Sequence, residues 1–247
     1  MTTADIGQRT YIAPELANRI TADMAPPDIV RWATETFGPK LIMTSSFGAE
    51  SMCLIHMATR AAPDIPIVFI NTGYLFPQTL LFMEAMRRQY KLNVLEFHTE
   101  HDPVVWLSIN GESDPRVRQN VEACCRANKN SVFDRAMQSL APAAWLRGVR
   151  ADQSAHRSQL QTVEANRRTE ALAISPLLRW TSKDIHQYMQ IHELPYHPLW
   201  KDGYTSIGCN PETCTRPLSD GEDMRGGRWS GMDKKECGIH LDQGAGI

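Results

Sequence analysis

The segment Lys40-Leu41-Ile42-Met43-Thr44-Ser45-Ser46-Phe47-Gly48-Ala49-Glu50-Ser51 decides the fold class. Its first five residues form a short apolar run typical of a buried strand, and a helical stretch at 52–58 follows. The loop between them offers small residues and free backbone N–H groups ahead of a helix, an arrangement that can bind an anion. An ordinary strand-to-helix turn explains the loop about as well, since the Gly-Lys-Ser/Thr of a Walker loop is missing. Its place after a strand favours phosphate or sulfate binding.

The same alternation of strand and helix continues along the chain. Further strands are predicted at 65–70, 92–97, 143–146 and 171–174, and helices at 13–37, 77–90, 101–140 and 181–191. This order predicts an α/β fold with a mostly parallel sheet and helices on both faces. We expect an N-terminal helical segment at 1–37, an α/β domain at 38–200, and a C-terminal segment at 201–247 that ends in an irregular, mobile tail.

Composition narrows the function classes. The chain has 247 residues, of which 42% are hydrophobic and 22% charged, and its net charge of −2 gives no general case for binding nucleic acid or membranes. No run approaches the ~18 apolar residues of a membrane span, and the polar start Met1–Asp5 does not resemble a signal peptide. A cytoplasmic location is therefore expected, where thiols stay reduced. Six cysteines then indicate metal or redox chemistry rather than disulfides.

Two groups of arginines suit an anionic ligand. Arg147, Arg150 and Arg157 follow the predicted strand at 143–146, so their guanidinium groups should lie in the same crevice as the loop at 45–51. A solvated charged loop is the commoner explanation of such a run, but two anion-binding turns at one sheet edge make it less favoured here. Arg225 and Arg228 lie on a glycine-rich segment that could close over a ligand, a weak indication by itself.

Four of the cysteines could form a metal site. Cys124 and Cys125 are adjacent, and four residues separate Cys209 from Cys214. Four thiolates can bind zinc or an iron–sulfur cluster, and adjacent ligands are unusual in structural zinc sites, which favours a cluster. Four independent reduced thiols remain the alternative. Cys53 has apolar neighbours and is expected in the core.

The C-terminal stretch Lys234-Lys235-Glu236-Cys237-Gly238-Ile239-His240 contains a possible nucleophile. Positive charge converts a thiol into the nucleophilic thiolate, and Lys234, Lys235 and His240 could supply it, whereas Glu236 opposes it. Taken alone, this stretch favours a free cysteine on a frayed terminus.

Together these motifs resemble the thioredoxin-dependent adenylyl-sulfate reductases of sulfate assimilation, which act on adenosine 5′-phosphosulfate (APS) or its 3′-phosphorylated form (PAPS). The resemblance covers about residues 40–241. It rests on the motifs 46–50, 71–79, Cys124-Cys125 with Lys129, 150–154, 196–200, 203–209, 215–217 and 236–240. It implies an adenine-nucleotide alpha-hydrolase-like fold.

The resemblance also implies residue roles. Cys237 would attack the sulfur of the substrate, forming an S-sulfocysteine and releasing AMP, and thioredoxin would then release sulfite. The candidate substrate ligands are Ser45, Ser46, Phe47, Gly48, Ala49, Glu50, Thr72, Gly73, Arg150, Asp152, Gln153, Arg157, Arg225 and Arg228.

The family has two types, and the cysteines resemble those of the type that binds a [4Fe–4S] cluster and usually takes APS. Cys124, Cys125, Cys209 and Cys214 would be the ligands, although the second pair is two residues further apart than is usual. The segments 72–77 and 196–200 are more similar to the type without a cluster, which takes PAPS. We expect a cluster and APS, with PAPS as the alternative. The resemblance implies thioredoxin as reductant, and the sequence leaves glutaredoxin open as the alternative. An ATP-dependent adenylating enzyme and a non-catalytic metal-binding module are the more distant possibilities.

Overall fold

The computed structural model describes residues 12–110, 118–210, 214–232, 234 and 236–240. Its strands are β1 Leu41–Thr44, β2 Ile67–Asn71, β3 Val94–His98, β4 Ala144–Leu146, β5 Val163–Asn166 and β6 Ala171–Ile174. Its helices are α1 Pro14–Thr21, α2 Pro26–Phe37, α3 Ser51–Ala61, α4 Pro77–Gln89, α5 Pro103–Asn110, α6 Arg118–Cys125, α7 Ser131–Leu140 and α8 Ser182–Ile191. Residues Arg126–Asn130 form one π-helical turn between α6 and α7.

The six strands form one sheet in the order β3-β2-β1-β4-β6-β5. All neighbours are parallel except β5 and β6. The strand order reverses at β1, which pairs with β2 on one side and with β4 on the other. In open α/β sheets the loops that leave the strands at such a reversal diverge and open a crevice. The loops after β1 and β4 therefore lie at this crevice, at the sheet edge where the sequence predicted them to meet.

Alternating side chains of the central strands bury both faces of the sheet. Leu41 and Met43 of β1 belong to one apolar core with α2 and α3, whereas Ile42 faces a second core that includes Phe133 and Met137 of α7. Since successive side chains of a strand point to opposite faces, a fully apolar strand needs a cover on each side. The prediction of helices on both faces is confirmed.

The C-terminal segment packs on the second core instead of leaving the domain. Cys214, Trp229, Met232, Cys237 and Ile239 are all buried there. The described part of this segment contains no α-helix or named strand, so its predicted irregularity is confirmed. The structure places Cys237 against the sheet domain, at 8% exposure.

One strand was not predicted from the sequence, whereas the two N-terminal helices were. β5 was not predicted; it is a short hairpin partner that lies antiparallel to β6 at the sheet edge. The two N-terminal helices were predicted, and both begin with proline in the first turn, where the missing N–H has no cost. None of the described helices combines the length and the apolar character that crossing a membrane requires.

Candidate active site

A pocket with a volume of about 220 Å³ lies at the end of β1, β2 and β4, where the strand order reverses. Its wall includes residues of the loop at 45–51, of the loop at 148–157 and of the C-terminal segments 205–208 and 225–228, together with Lys129 and Cys237. The loops of the sheet domain and the C-terminal segment therefore enclose one site.

The loop after β1 is held by its own residues. The Ser45 hydroxyl accepts a hydrogen bond from the N–H of Phe47 at 3.1 Å, and Phe47 has a φ of 47°. This conformation turns the Phe47 ring into the core, where it meets Phe69 edge-on with 5.6 Å between ring centroids. Phe47 is thus an anchor of the loop, and its neighbours Gly48 and Ala49 line the pocket.

Arg150 joins the two loops rather than standing free. Its guanidinium donates to Glu50 at 2.5 Å, to Asp152 at 3.1 Å and to the hydroxyl of Ser182 at 2.9 Å. The side chain is almost completely buried. Since these protein groups already bind it, Arg150 shapes the pocket wall and neutralises Glu50. Asp152 belongs to the same network and does not line the pocket.

Arg157 binds the residue next to the tail cysteine. It donates two hydrogen bonds to the Glu236 carboxylate, at 2.6 and 2.8 Å, and a third to Gln153. Arg225 approaches the same carboxylate at 3.5 Å. Burial lowers the pKa of Arg225 to about 9, and the charges of Arg157 and Arg228 act in the same direction while Glu236 opposes them. Positive charge in this part of the pocket therefore exceeds the negative charge available to it.

Arg228 is fixed by contacts within the C-terminal segment. Its guanidinium donates to the carbonyl of Cys214 at 3.0 Å and lies 4.5 Å from the centroid of the Trp229 ring. Gly208 allows this position, because a Cβ there would come within 2.3 Å of Arg228 Nη2. The predicted pair Arg225 and Arg228 thus lies in the pocket wall.

Cys237 also lies in the pocket wall, and its pKa is lower than that of an ordinary thiol. Burial raises this pKa, and so does the charge of Glu236. Three effects lower it and outweigh them: the Lys129 ammonium, a hydrogen bond from the N–H of Ile239, and the charge of Arg228. The effect is mutual: burial lowers the pKa of Lys129, yet the negative charge of Cys237 keeps it raised. The geometry favours a thiolate.

The source of this positive charge differs from the sequence prediction. Lys234 is buried and lies 5.4 Å from the centroid of the Trp229 ring, while Lys235 lies outside the described residues, as does the side chain of His240. Lys129, more than a hundred residues away in sequence, faces the thiol instead. Its position four residues after Cys125 was the only sequence signal for it.

The four cysteines predicted as metal ligands line a second, smaller cavity. Cys124, Cys125, Cys209 and Cys214 form its wall, and its surface is almost wholly apolar. The amide of Asn128 donates to Cys124 Sγ at 3.6 Å, and the Thr72 hydroxyl lies 3.4 Å from Cys209 Sγ. Lys129 borders both this cavity and the pocket that contains Cys237. Within the described residues, no three cysteine, histidine, aspartate or glutamate side chains form a group that could bind a single metal ion.

Most of the predicted ligand residues come together, and three do not. The pocket is lined by Ser45, Ser46, Gly48, Ala49, Glu50, Thr72, Arg150, Gln153, Arg157, Arg225, Arg228 and Cys237. Phe47, Gly73 and Asp152 lie outside its wall. Arg147, which was also expected in the crevice, instead binds Ser175 at 2.8 Å and Glu164 at 2.5 Å. Cys53 is in the core, as expected, and burial raises its pKa to about 12.

The sheet order and the pocket at its reversal define an α/β protein of the adenine-nucleotide alpha-hydrolase-like fold. Solved structures agree. The phosphoadenylyl-sulfate (PAPS) reductase of Candida auris in its phosphate complex superposes with a TM-score of 0.70 at 24% identity, covering 82% of this chain and 98% of that chain. The FMN adenylyltransferase of Candida glabrata in complex with ATP gives a TM-score of 0.56 at 15% identity, covering 85% and 75% of the two chains. At these identities the likeness concerns the fold alone.

The chain belongs to the phosphoadenosine phosphosulfate reductase domain family, whose model matches residues 40–217. It is 38% identical over 226 residues to the phosphoadenosine 5′-phosphosulfate reductase of Synechococcus sp., covering 91% of this chain and 95% of the relative. It is 37% identical over 214 residues to the adenosine 5′-phosphosulfate reductase of Halalkalibacterium halodurans, covering 86% and 90%. Relatives named for the two substrates are thus about equally similar, and the family resemblance expected from the sequence is confirmed.

Proposed function

We propose that this protein reduces a sulfonucleotide, namely APS, to sulfite and AMP, with thioredoxin as reductant and Cys237 as nucleophile. The observation that carries the proposal is the position of Cys237: its sulfur lies in the wall of a basic pocket, with its pKa lowered by Lys129. A thiolate must approach an anionic substrate, so the substrate's charge has to be neutralised in the same pocket.

The chemistry takes place in two steps. The Cys237 thiolate attacks the sulfur of the substrate; an S–S bond forms, the S–O bond to the nucleotide phosphate breaks, and AMP leaves with that electron pair. In the second step a thioredoxin thiolate attacks Cys237 Sγ and sulfite leaves with the electron pair of the broken S–S bond. The second thioredoxin thiol then regenerates the Cys237 thiolate, so the two electrons come from the thioredoxin dithiol.

The pocket residues neutralise and orient the substrate. Lys129 faces the attacking sulfur, and Arg225 and Arg228 lie in the same wall, so the sulfate group can be neutralised beside the thiolate. Backbone and hydroxyl groups of the loop after β1 lie at the N-terminal side of α3, where partial positive charge favours phosphate oxygens. Cys237 of the C-terminal segment and the loop after β1 would thus contact different parts of the substrate.

The four cysteines of the second cavity fit an iron–sulfur cluster by their donor chemistry, because all four thiol-bearing residues line one cavity. Cys124, Cys125, Cys209 and Cys214 would be its ligands. In the steps above only sulfur atoms change oxidation state, and the thioredoxin dithiol supplies both electrons, so a bound cluster would supply local electrostatic charge. Asn128 and Thr72 already direct polar groups at two of the sulfurs.

The choice of APS rests on the retention of all four cluster cysteines. PAPS is the alternative, supported by the relatives that carry that name. Steady-state rates with APS and PAPS, measured side by side on anaerobic protein with its iron quantified, decide between them. An adenylating enzyme would instead consume ATP and release pyrophosphate, which the same preparation can be assayed for.

A labelling experiment tests the nucleophile. Protein is incubated with APS carrying radioactive sulfur and without reductant, then digested and analysed by mass spectrometry. We expect a sulfonate on the peptide that contains Cys237, and none in Cys237→Ser. Cys53→Ala is the matched control, since Cys53 is buried in the core and should leave the labelling unchanged. In a parallel reaction with thioredoxin added, an unchanged yield of sulfite from Cys237→Ser would contradict the proposal.

A further inference from the structure

Arg168 makes contacts that the reaction described above does not use. It lies in the turn at 167–170 between β5 and β6, far along the chain from the tail. Its Nη2 donates to the carbonyls of Gly238 and Ile239, at 3.1 and 3.3 Å, and its Nη1 pairs with Asp134 of α7 at 2.7 Å. The guanidinium carbon also lies 5.3 Å from the centroid of the Phe133 ring. One side chain therefore connects the hairpin, α7 and the tail.

The Gly238–Ile239 peptide links Arg168 to Cys237. Its carbonyl accepts the hydrogen bond from Arg168, and its N–H, that of Ile239, donates to the Cys237 sulfur. A trans peptide is planar, and its C=O and N–H point in opposite directions. Fixing the carbonyl on one side consequently fixes the direction of the N–H on the other.

The position of Arg168 is itself well determined. The buried Asn166 side chain accepts hydrogen bonds from the N–H and the hydroxyl of Thr169, both at 3.0 Å, and so holds the turn. Gly238 itself lies directly against Asn130, where a Cβ would come within 2.2 Å of Asn130 Nδ2. The tail thus contacts both Asn130 and Arg168.

We propose that Arg168 is a positioning residue: by binding the carbonyls of Gly238 and Ile239 it holds the tail in the pocket and directs the Ile239 N–H at the Cys237 sulfur. The importance of this for catalysis rests on the proposed function of Cys237. Arg168 does not touch the substrate; it favours the closed tail that attacks the sulfonucleotide. The step with thioredoxin needs Cys237 to leave its buried position, so the same contacts should not assist that step.

The test compares Arg168→Ala, Arg168→Lys and Arg135→Ala in the full chain. Arg135 is the matched control. It lies on α7, the helix that Arg168 contacts through Asp134, and its guanidinium binds the Glu100 carboxylate and the His98 carbonyl but not the tail. Cysteine alkylation is followed peptide by peptide by mass spectrometry without substrate. In Arg168→Ala we expect Cys237 to react about tenfold faster, the order expected from losing a hydrogen bond to a charged group. Cys53, buried in the core, should react at the wild-type rate.

The two half-reactions provide the second measurement. Formation of the sulfonate on Cys237 in a single turnover should slow about tenfold in Arg168→Ala, whereas release of sulfite from preformed sulfonated enzyme by thioredoxin should not slow. Arg168→Lys, which keeps a cation that can reach one carbonyl, should lie between Arg168→Ala and wild type. Arg135→Ala should match wild type in both measurements.

Three outcomes contradict the proposal: an unchanged alkylation rate at Cys237, an unchanged first half-reaction, or equal slowing of both half-reactions. If Cys53 also reacts faster in Arg168→Ala, that variant is unfolding as a whole, and the alkylation rates of Arg168→Lys are used instead. Faster alkylation of Cys237 alone in Arg168→Lys supports the proposal, and wild-type rates at both cysteines reject it. Absence of any sulfonate on wild-type Cys237 would reject the proposed function, while the alkylation rates would still report whether Arg168 holds the tail.

Discussion

Arg157 binds both carboxylate oxygens of Glu236, at 2.6 and 2.8 Å, and both side chains are buried. Glu236 immediately precedes Cys237, so this ion pair attaches the tail to the basic side of the pocket. The carboxylate also occupies guanidinium donors that an anionic ligand could use. Closing the tail and binding an anion therefore draw on the same positive charges.

Glu236→Gln should lower the stability of the protein and strengthen its response to anions. Removing one partner of a buried ion pair costs about 3–5 kcal/mol, because the other charge stays buried without compensation. Chemical denaturation measures the loss, and melting temperatures with increasing sulfate measure the response, which should exceed that of wild type since sulfate can replace the carboxylate.

The control for this substitution is Glu222→Gln. Glu222 forms a comparable pair with Arg216 at 2.5 Å on a more exposed part of the segment, where solvent screens the charges. It should cost much less stability and leave the sulfate response unchanged. Equal behaviour of the two variants would mean that Glu236 does not compete with anions.

Cys214→Ala should remove the iron from the protein if the cysteine cavity binds a cluster. Anaerobically purified wild type should be brown and contain about four iron and four sulfide per chain. Cys214 lines the cavity together with the other three cysteines, whereas Cys53 lies in the core, so Cys53→Ala should keep the colour. Absorption spectra and iron analysis are the measurements, and colourless wild-type protein with one zinc would overturn the prediction.

Gly208→Ala should weaken binding of the sulfonucleotide by displacing Arg228. The new Cβ would lie 2.3 Å from Arg228 Nη2, so the guanidinium has to leave its place above Trp229. Loss of a charge-assisted contact should raise KM by about tenfold. Steady-state kinetics of Gly208→Ala, Arg228→Ala and the double variant check the explanation: the double variant should be no worse than Arg228→Ala, and additive losses would refute it.

His197 should make the protein less stable in mild acid. It is buried, its Nδ1 accepts the Leu199 N–H at 3.1 Å and its Nε2 lies 3.0 Å from the Thr79 hydroxyl, so the neutral ring is the form that fits. Burial lowers its pKa to about 4. The unfolded chain binds a proton below about pH 6.5 and the native state does not, so this contribution is present above pH 6.5 and is lost as the pH falls towards 4.

The expected loss from this one group is about 2 kcal/mol after allowance for solvent screening. Urea denaturation at several pH values between 7.5 and 4 measures it. His197→Asn keeps an acceptor for the Leu199 N–H but cannot titrate, so the difference in stability between the two proteins should shrink as the pH falls. A difference that stays constant with pH would contradict the assignment.

The sheet could be predicted because its strands are short apolar runs separated by helices, and the reversal at β1 follows once the pairing is known. β5 could not be predicted, because Val163–Asn166 is only half apolar and becomes a strand through its pairing with β6. Short strands depend on their neighbours in space more than on intrinsic preference.

The sequence predicted which loops form the pocket, but not the position of every side chain in them. Phe47 looks from its motif like a ligand residue, yet its positive φ directs the ring into the core. Lys129 and Arg168 both act on the tail from distant parts of the chain, and a single sequence holds no record of such long-range contacts. Arg150 was predicted in the crevice, but its ion pair with Glu50 forms only when the two loops meet.

The π-helical turn Arg126–Asn130 directs three consecutive side chains to three different neighbours. Asn128 reaches Cys124, Lys129 borders the pocket with Cys237, and Asn130 lies against Gly238. Such a turn contains one residue more than an α-helical turn. Deleting a single residue here would let the chain close an ordinary α-helical turn, and the side chains at 128–130 could not all keep these three neighbours. The length of this turn, as much as its composition, therefore maintains the contacts that connect the cysteine cavity, the pocket and the tail.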